Sequence, residues 1–326
     1  MNSIKSSDKN TEKRRSPSKI PVVDLGELGV GRPGEPSEDE WRRVGAELAK
    51  AFIEIGFVYL SNHGIPGRKV DEVNKWSKEF FLLDPATKIQ YKRGVHDIQG
   101  YTTPGQERLT ADGSVQELRE SYDVRRLDGV FPDEEVGELR PAVHHLVDDC
   151  RALATRVLAA IALGLGLERS FFVSKHQQMC SDNNATCLRL LYYPPVPSSV
   201  VAGATRCGAH TDYGIITLLF QDSIGGLEVR ERDGSWVSAD PMPDTILVNV
   251  GDILQFWTSD KFRATEHRVL IPEEEVRQKK GRQSVVFFVH PDGHEVIKPL
   301  DTSFTFNKLL TAREHTDKRF EETYRY

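Results

Sequence analysis

The chain has 326 residues, 38% of them hydrophobic and 28% charged, with a formal net charge of −6. That balance suits a globular enzyme and argues against nucleic acid as a main partner. No apolar stretch approaches the roughly 18 residues a membrane span needs.

Residues 1–19 are rich in Ser, Lys, Arg and Asn. They read as a disordered tail with no apolar run for a secretory signal. A first strand is expected over 20–25. After a Gly- and Pro-rich stretch, Ser37 reads as an N-cap, with Glu40 completing a capping box. Trp41, Val44, Leu48, Phe52 and Ile55 recur at helical spacing, and Gly56 ends that helix. A short buried strand follows over 57–60, and a second helix carries Val70, Val73, Trp76 and Phe80. Residues 94–114 read as loop and 120–124 as a return to strand. Pro141 opens the longest helix, a favourable first-turn position.

From Cys187 the period changes from 3.6 to short β runs. Strands are expected over 188–193, 215–220, 226–230, 236–238, 245–250, 253–257, 268–271 and 284–290. Arg232-Asp233-Gly234-Ser235 supplies a hairpin turn between two of them. Eight short strands at this spacing imply a barrel or double-sheet jelly roll. Residues 309–324 close the chain as a helix. The fold class is therefore mainly β with flanking α-helices around a jelly-roll core. The division is a tail over 1–19, a helical part with the first strands over 20–180, and a core with the closing helix over 181–326. The last two parts are read as one structural unit.

His210-Thr211-Asp212 is followed 55 residues after Asp212 by His267. Residues i and i+2 of a strand share a face, so His210 and Asp212 can reach one metal. Two imidazoles and one carboxylate on one face of a metal are the ligand set of non-haem Fe(II) oxygenases. Arg282-Gln283-Ser284 lies 15 residues beyond His267. An interior Arg is costly unless it meets an anion, and no acidic residue from 281 to 290 is close in the strand. A small carboxylate ligand held by Arg282 and Ser284 answers this. Val286 and Phe288 continue the same face. Arg189, Leu191 and Tyr193 form a second inward face, with the Tyr193 hydroxyl able to complete the carboxylate site. Arg189 reads as a further interior cation that contacts substrate; the alternative is an Arg paired with a loop carboxylate. Cys150, Cys180, Cys187 and Cys207 lack a CxxC spacing and read as reduced thiols in a cytoplasmic protein.

These motifs resemble the isopenicillin N synthase-like family of iron- and 2-oxoglutarate-dependent dioxygenases. The likeness runs from Ile20-Pro21-Val22-Val23-Asp24-Leu25 through Gly56-Phe57-Val58-Tyr59-Leu60, Tyr192-Tyr193-Pro194-Pro195 and Gly208-Ala209-His210-Thr211-Asp212. It continues with Asn249-Val250-Gly251-Asp252 and Thr265-Glu266-His267-Arg268-Val269 to Arg282-Gln283-Ser284. The resemblance implies a double-stranded β-helix core with Fe(II) at His210, Asp212 and His267. It also implies 2-oxoglutarate held at its distal carboxylate by Arg282, Ser284 and Tyr193. The resemblance further implies O₂ as oxidant, ascorbate as a candidate reductant, and succinate and CO₂ as co-products. Many members carry Asn two residues before that Tyr, where this chain has Leu191. Gly100-Tyr101-Thr102-Thr103-Pro104-Gly105 and Glu120-Ser121-Tyr122 are similar to the text of fungal thymine 7-hydroxylases. That likeness implies hydroxylation of a small polar metabolite, with Arg189 and Phe288 in its pocket. Two alternatives stay open. One is an iron-dependent oxidase that binds a substrate carboxylate without 2-oxoglutarate. The other is a non-catalytic β-barrel binding module. No nucleic-acid or membrane partner is expected, and the oligomeric state and the substrate itself are not legible.

Overall fold

The structure is a computed structural model. It describes residues 20–324 apart from 95–96, 98, 108, 110–116, 197–203, 272–278, 302 and 304–308. The tail expected over 1–19 lies outside the described residues.

The N-terminal part builds helices wherever apolar residues recur every three to four positions. Helix α1 (Glu38–Glu54) buries Trp41, Val44, Leu48 and Phe52. The Ser37 side chain accepts from Glu40 N, so the cap forms. The expected box does not, because the Glu40 carboxylate turns to Arg43 at 2.7 Å and Ser37 N donates to Glu27 instead. A full cation is a stronger partner for that carboxylate than a single amide. The chain leaves α1 through Gly56, at φ +75°. Helix α2 (Gly67–Phe81), the short α3 (Pro85–Ile89), α4 (Leu139–Gly164) and the short α5 (Ser170–Val173) follow. The 26-residue α4 packs against both α1 and α2. No described helix is long and apolar enough to cross a membrane.

Twelve strands form two sheets among the described residues. The larger contains β1 (Val22–Asp24), β2 (Phe57–Ser61), β10 (Ile246–Val250), β7 (Ile216–Gln221), β12 (Arg282–Val289), β5 (Cys187–Tyr193), β4 (Glu120–Val124) and β3 (Gly100–Thr102), in that order. The smaller contains β6 (Cys207–His210), β11 (His267–Val269), β8 (Leu227–Arg230) and β9 (Trp236–Ser238). The first strands, β1 to β4, flank the core strands in one sheet. A short strand, β3, lies inside the stretch read as loop.

Period two divides each central strand between two cores. Leu188, Leu190 and Tyr192 of β5, with Val285, Phe287 and Val289 of β12, pack under the helices. Leu191, Tyr193 and Val286 face inward, with Cys207, Leu227 and Val269 from the smaller sheet. This is the two-layered jelly-roll arrangement, with its apolar interior between the sheets.

One expected strand is a helix. Residues 253–257 lie in α6 (Asp252–Trp257), which buries Ile253, Leu254 and Trp257. Adjacent buried Ile253 and Leu254 cannot both point inward from a strand, whereas positions i, i+1 and i+4 share one helical face. The closing helix, α7 (Ala312–Thr323), carries a complete capping box between Thr311 and Glu314.

Candidate metal and co-substrate site

His210 ends β6 and His267 opens β11, and the two are direct cross-strand partners. Asp212 lies two residues past the end of β6. Its backbone is held there because its carbonyl accepts from Asp252 N at 2.7 Å. The structure therefore brings both imidazoles and the carboxylate together. Nε2 of His210 and Nε2 of His267 each lie 3.7 Å from Asp212 Oδ1. All three ligand atoms fall within 4.8 Å of one another.

The surroundings orient each group. His210 Nδ1 meets the Gly208 carbonyl at 2.8 Å, and His267 Nδ1 meets the Thr265 carbonyl at 3.1 Å. A proton on Nδ1 leaves Nε2 as the lone-pair donor. Asp212 Oδ2 accepts from Thr217 Oγ1 at 2.6 Å and from Asn249 Nδ2 at 2.7 Å. Oδ1 is left toward the imidazoles. Burial pushes the Asp212 carboxyl up, but His267, His210, Asn249 and Thr217 together hold it below its ordinary value. Burial, aided by His210, lowers His267 to about 4, so its imidazole is neutral at pH 7. Neutral nitrogens and an ionised carboxylate are what a divalent cation requires. The donor set fits Fe(II), with borderline imidazole and hard carboxylate and no thiolate.

The pocket runs along β12. Arg282, Ser284, Val286, Phe288 and His290 line it at every second position, with Cys187, Arg189, Leu191 and Tyr193 of β5 beside them. In register, Arg282 faces Tyr193, Ser284 faces Leu191 and Val286 faces Arg189. Arg282 is 1% exposed. It bonds Gly225 O at 3.0 Å, Ser284 Oγ at 2.5 Å and Gln221 Oε1 at 3.3 Å, and stacks on the Tyr193 ring. Among the described residues no carboxylate lies within ion-pair reach of it. Burial pushes the Tyr193 phenol up to about 12, so its hydroxyl stays a donor. No described protein group bonds that hydroxyl.

Arg189 is open to two readings, a substrate contact or a cation paired with carboxylates. It lines the pocket but has partners in full. Nε and Nη2 bond Asp123 at 2.6 and 2.9 Å, Nη1 bonds both Glu107 oxygens at 3.0 and 3.2 Å, and Nη2 also reaches the Tyr324 hydroxyl at 2.6 Å. Of the two readings of Arg189, the one that pairs it with carboxylates is seen, with Glu107 as the partner outside the named strands. Asp123 lies 66 residues away on the adjacent strand, a pairing that sequence proximity does not show. Burial pushes the Glu107 carboxyl up, yet Arg119, Arg189 and the Tyr324 hydroxyl bring it down to about 2. Truncating Arg189 to Ala should cost roughly 3–5 kcal/mol, because two buried carboxylates lose their cation. Urea unfolding measures this; an unchanged midpoint would show that the network is dispensable to the fold.

Sequence reasoning missed Thr217, Asn249, Glu107 and His290. A polar Asn249 inside the apolar run of β10 was the available signal. His290 continues the period-two face of β12 and is brought down to about 3 by burial, so it is neutral. The buried His176 is likewise lowered to about 4. Cys207 is a free thiol with Sγ 4.0 Å from His210 Nδ1, and all four cysteines are free.

The three buried imidazoles set an acid limit. Unfolded, each would titrate near 6.5. Between about 6.5 and 4 the unfolded chain binds more protons than the folded one. Their contribution is whole above about 6.5 and is lost as pH falls through that window. The urea midpoint of metal-free protein should therefore drop by a clear margin between pH 7.5 and pH 5. Equal midpoints would mean that these imidazoles are not held neutral.

With this geometry in view, the likenesses are informative. Residues 184–291 match the 2OG-Fe(II) oxygenase superfamily, and residues 20–141 match the non-haem dioxygenase in morphine synthesis N-terminal family. The 2-oxoglutarate-Fe(II) type oxidoreductase ppzD of Metarhizium rileyi is 36% identical over 82% of this chain and 80% of its own. The proline hydroxylase buaE of Petromyces alliaceus is 34% identical over 85% and 92%. The full-length thymine 7-hydroxylase of Neurospora crassa, in complex with alpha-KG and thymine, superposes with a TM-score of 0.80 at 29% identity, over 93% of this chain and 96% of that one.

Proposed function

Because this chain belongs to the 2OG-Fe(II) oxygenase superfamily and is an iron- and 2-oxoglutarate-dependent dioxygenase, we propose that it hydroxylates a small, uncharged polar metabolite. Its core is the double-stranded β-helix of that superfamily, and it uses Fe(II), 2-oxoglutarate and O₂. The reading as a binding module without activity is set aside, as is the oxidase that needs no 2-oxoglutarate.

In the proposed assignment His210, Asp212 and His267 hold the iron. Arg282, Ser284 and Tyr193 hold the distal carboxylate of 2-oxoglutarate. When bound, iron, 2-oxoglutarate and O₂ supply a decarboxylation to succinate and CO₂ that oxidises a substrate C–H bond to C–OH. The chain's own contribution is geometric and electrostatic. Asn249 and Thr217 aim Asp212 Oδ1 at the metal. Arg282 meets a carboxylate with a planar fork, in a site dry enough to make that charge pair strong. Val286, Leu191 and Phe288 line the path between with apolar surface, which excludes water.

The observation that supports an uncharged substrate is the saturation of Arg189. Its donors are already engaged by Asp123, Glu107 and Tyr324, and Glu107 is bonded at both oxygens. The substrate end thus offers Phe288, Phe320 and the neutral His290 instead of a free ion. Thymine, the molecule bound in the N. crassa structure, is of this uncharged kind. The test is a metabolite screen scored by substrate-stimulated succinate formation. Stimulation by neutral heterocycles and amides is expected; hits confined to carboxylates or phosphates would overturn the reading. A cytoplasmic location accords with four free thiols.

A further inference from the structure

Arg119 immediately precedes β4 and is 8% exposed. It lines the same pocket as His210, Asp212 and His267. A guanidinium carries five N–H donors. Nε donates to Glu117 Oε2 at 3.0 Å. Nη2 lies 2.8 Å from that oxygen and 3.2 Å from Glu107 Oε2, with neither contact directed along an N–H bond. Nη1 has no partner among the described residues. Unlike Nη2, it is not sealed from accessible space, and the cavity that Arg119 borders is the pocket.

Two carboxylates fix where this guanidinium sits. Glu107 joins it to Arg189, whose Nη1 bonds the Glu107 oxygens at 3.0 and 3.2 Å. Glu117 joins it to the strand of His210, because Glu117 Oε1 accepts from Gly208 N at 3.2 Å. Arg119 therefore stands in the pocket wall between the Arg189 end and β6. Charge along this wall is already balanced. The guanidiniums of Arg93, Arg119 and Arg189 are matched by the carboxylates of Glu107, Glu117 and Asp123. A further anion would meet no uncompensated cation there, and burying it would be costly. The Nη1 donors still lack an acceptor, which is costly in its own right. An uncharged oxygen with lone pairs satisfies both conditions.

We propose that Arg119 is a specificity-determining residue of the substrate pocket, donating from Nη1 to a neutral carbonyl oxygen of the substrate. The inference rests on the reading of an uncharged polar substrate and narrows it to carbonyl compounds such as cyclic amides. A carbonyl oxygen accepts in the plane of its lone pairs, which suits a planar guanidinium. A molecule of the same shape without that acceptor would leave the donor unmet in the closed pocket, so the site discriminates against it.

Succinate formation by the full-length protein with Fe(II) and 2-oxoglutarate is measured with thymine, uracil and 2-piperidone. Each is compared with an analogue carrying sulfur, a weak acceptor of similar shape, in place of one carbonyl oxygen. The parent should prefer the carbonyl form of one such pair by roughly tenfold or more in kcat/KM. R119M, of similar length and without donors, should bring that ratio close to one by losing the carbonyl form alone. The half-saturating 2-oxoglutarate concentration, read from charge-transfer absorbance of the anaerobic Fe(II) protein, should not change. E117Q/R119M removes one charge of each sign and serves if R119M does not fold. Equal loss of both members of the pair would make Arg119 a brace between Glu107 and Glu117 and overturn the inference. A parent without preference between them would also overturn it. Stimulation by indole, which is neutral but has no carbonyl, and by none of the carbonyl probes would overturn this inference alone. Hits confined to carboxylates or phosphates would overturn the uncharged-substrate reading, and this inference with it.

Discussion

Replacing His267 by Ala is expected to reduce iron-dependent succinate release to background. The reason is the economy of the site. Three ligand atoms lie within 4.8 Å of one another, and His267 supplies one of them from β11, while His210 ends β6 and Asp212 lies two residues past it. Losing the groups that merely orient a ligand costs metal affinity about 10- to 100-fold, so losing a ligand should cost more than that. Asn249→Ala provides the graded control. It frees Asp212 Oδ2 from one of its two bonds and should weaken Fe(II) binding within that 10- to 100-fold range. The His267 variant has a second signature in metal-free protein. It removes an imidazole held at about 4, so part of the stability lost between pH 7.5 and pH 5 should be recovered. Full turnover in the variant would show that the iron sits elsewhere.

Replacing Arg282 by Ala is expected to raise the half-saturating 2-oxoglutarate concentration roughly 10- to 150-fold, the range set by about 1.5–3 kcal/mol for a hydrogen bond to a charged group. Arg282 is buried, stacked on Tyr193 and joined to Ser284, so its fork is already oriented before any ligand arrives. Little side-chain entropy remains to be lost on binding. Arg282→Lys should recover only part of the affinity, because an ammonium cannot present two parallel donors. Ser284→Ala should cost less, roughly 2- to 10-fold, as expected for a neutral hydroxyl. An unchanged 2-oxoglutarate dependence in Arg282→Ala would sink the assignment of this end of the pocket. Iron binding measured in the same variant should stay intact, which separates damage at the carboxylate end from collapse of the metal end.

Much of this was legible in the chain because two periodicities are local. The 3.6 spacing of Trp41, Val44, Leu48 and Phe52 specified α1, and the alternation along β12 placed Arg282, Ser284, Val286 and Phe288 on one face. The same rule led from His210 to Asp212. It failed at 253–257, where a short apolar run fits strand or helix and only the turn at Gly251, with Asp252 N donating to the Asp212 carbonyl, selects the helix. The capping-box pattern failed at Ser37 because the Glu40 side chain has a stronger local partner in Arg43.

Sequence by itself determined the donor set and the faces: which imidazoles, which carboxylate, which Arg and Ser share a strand face. Those follow from residue type and from spacing within one element, and both are local quantities. Tertiary structure alone decided which charges are already paired. Arg189 and Arg282 look alike in the chain, each an interior Arg on a core strand. Folding gives Arg189 two carboxylates and a phenol from segments 66, 82 and 135 residues away, and gives Arg282, among the described residues, only neutral acceptors. Electrostatic pairing depends on distance in space and on burial, and neither is written in the spacing of residues along one strand.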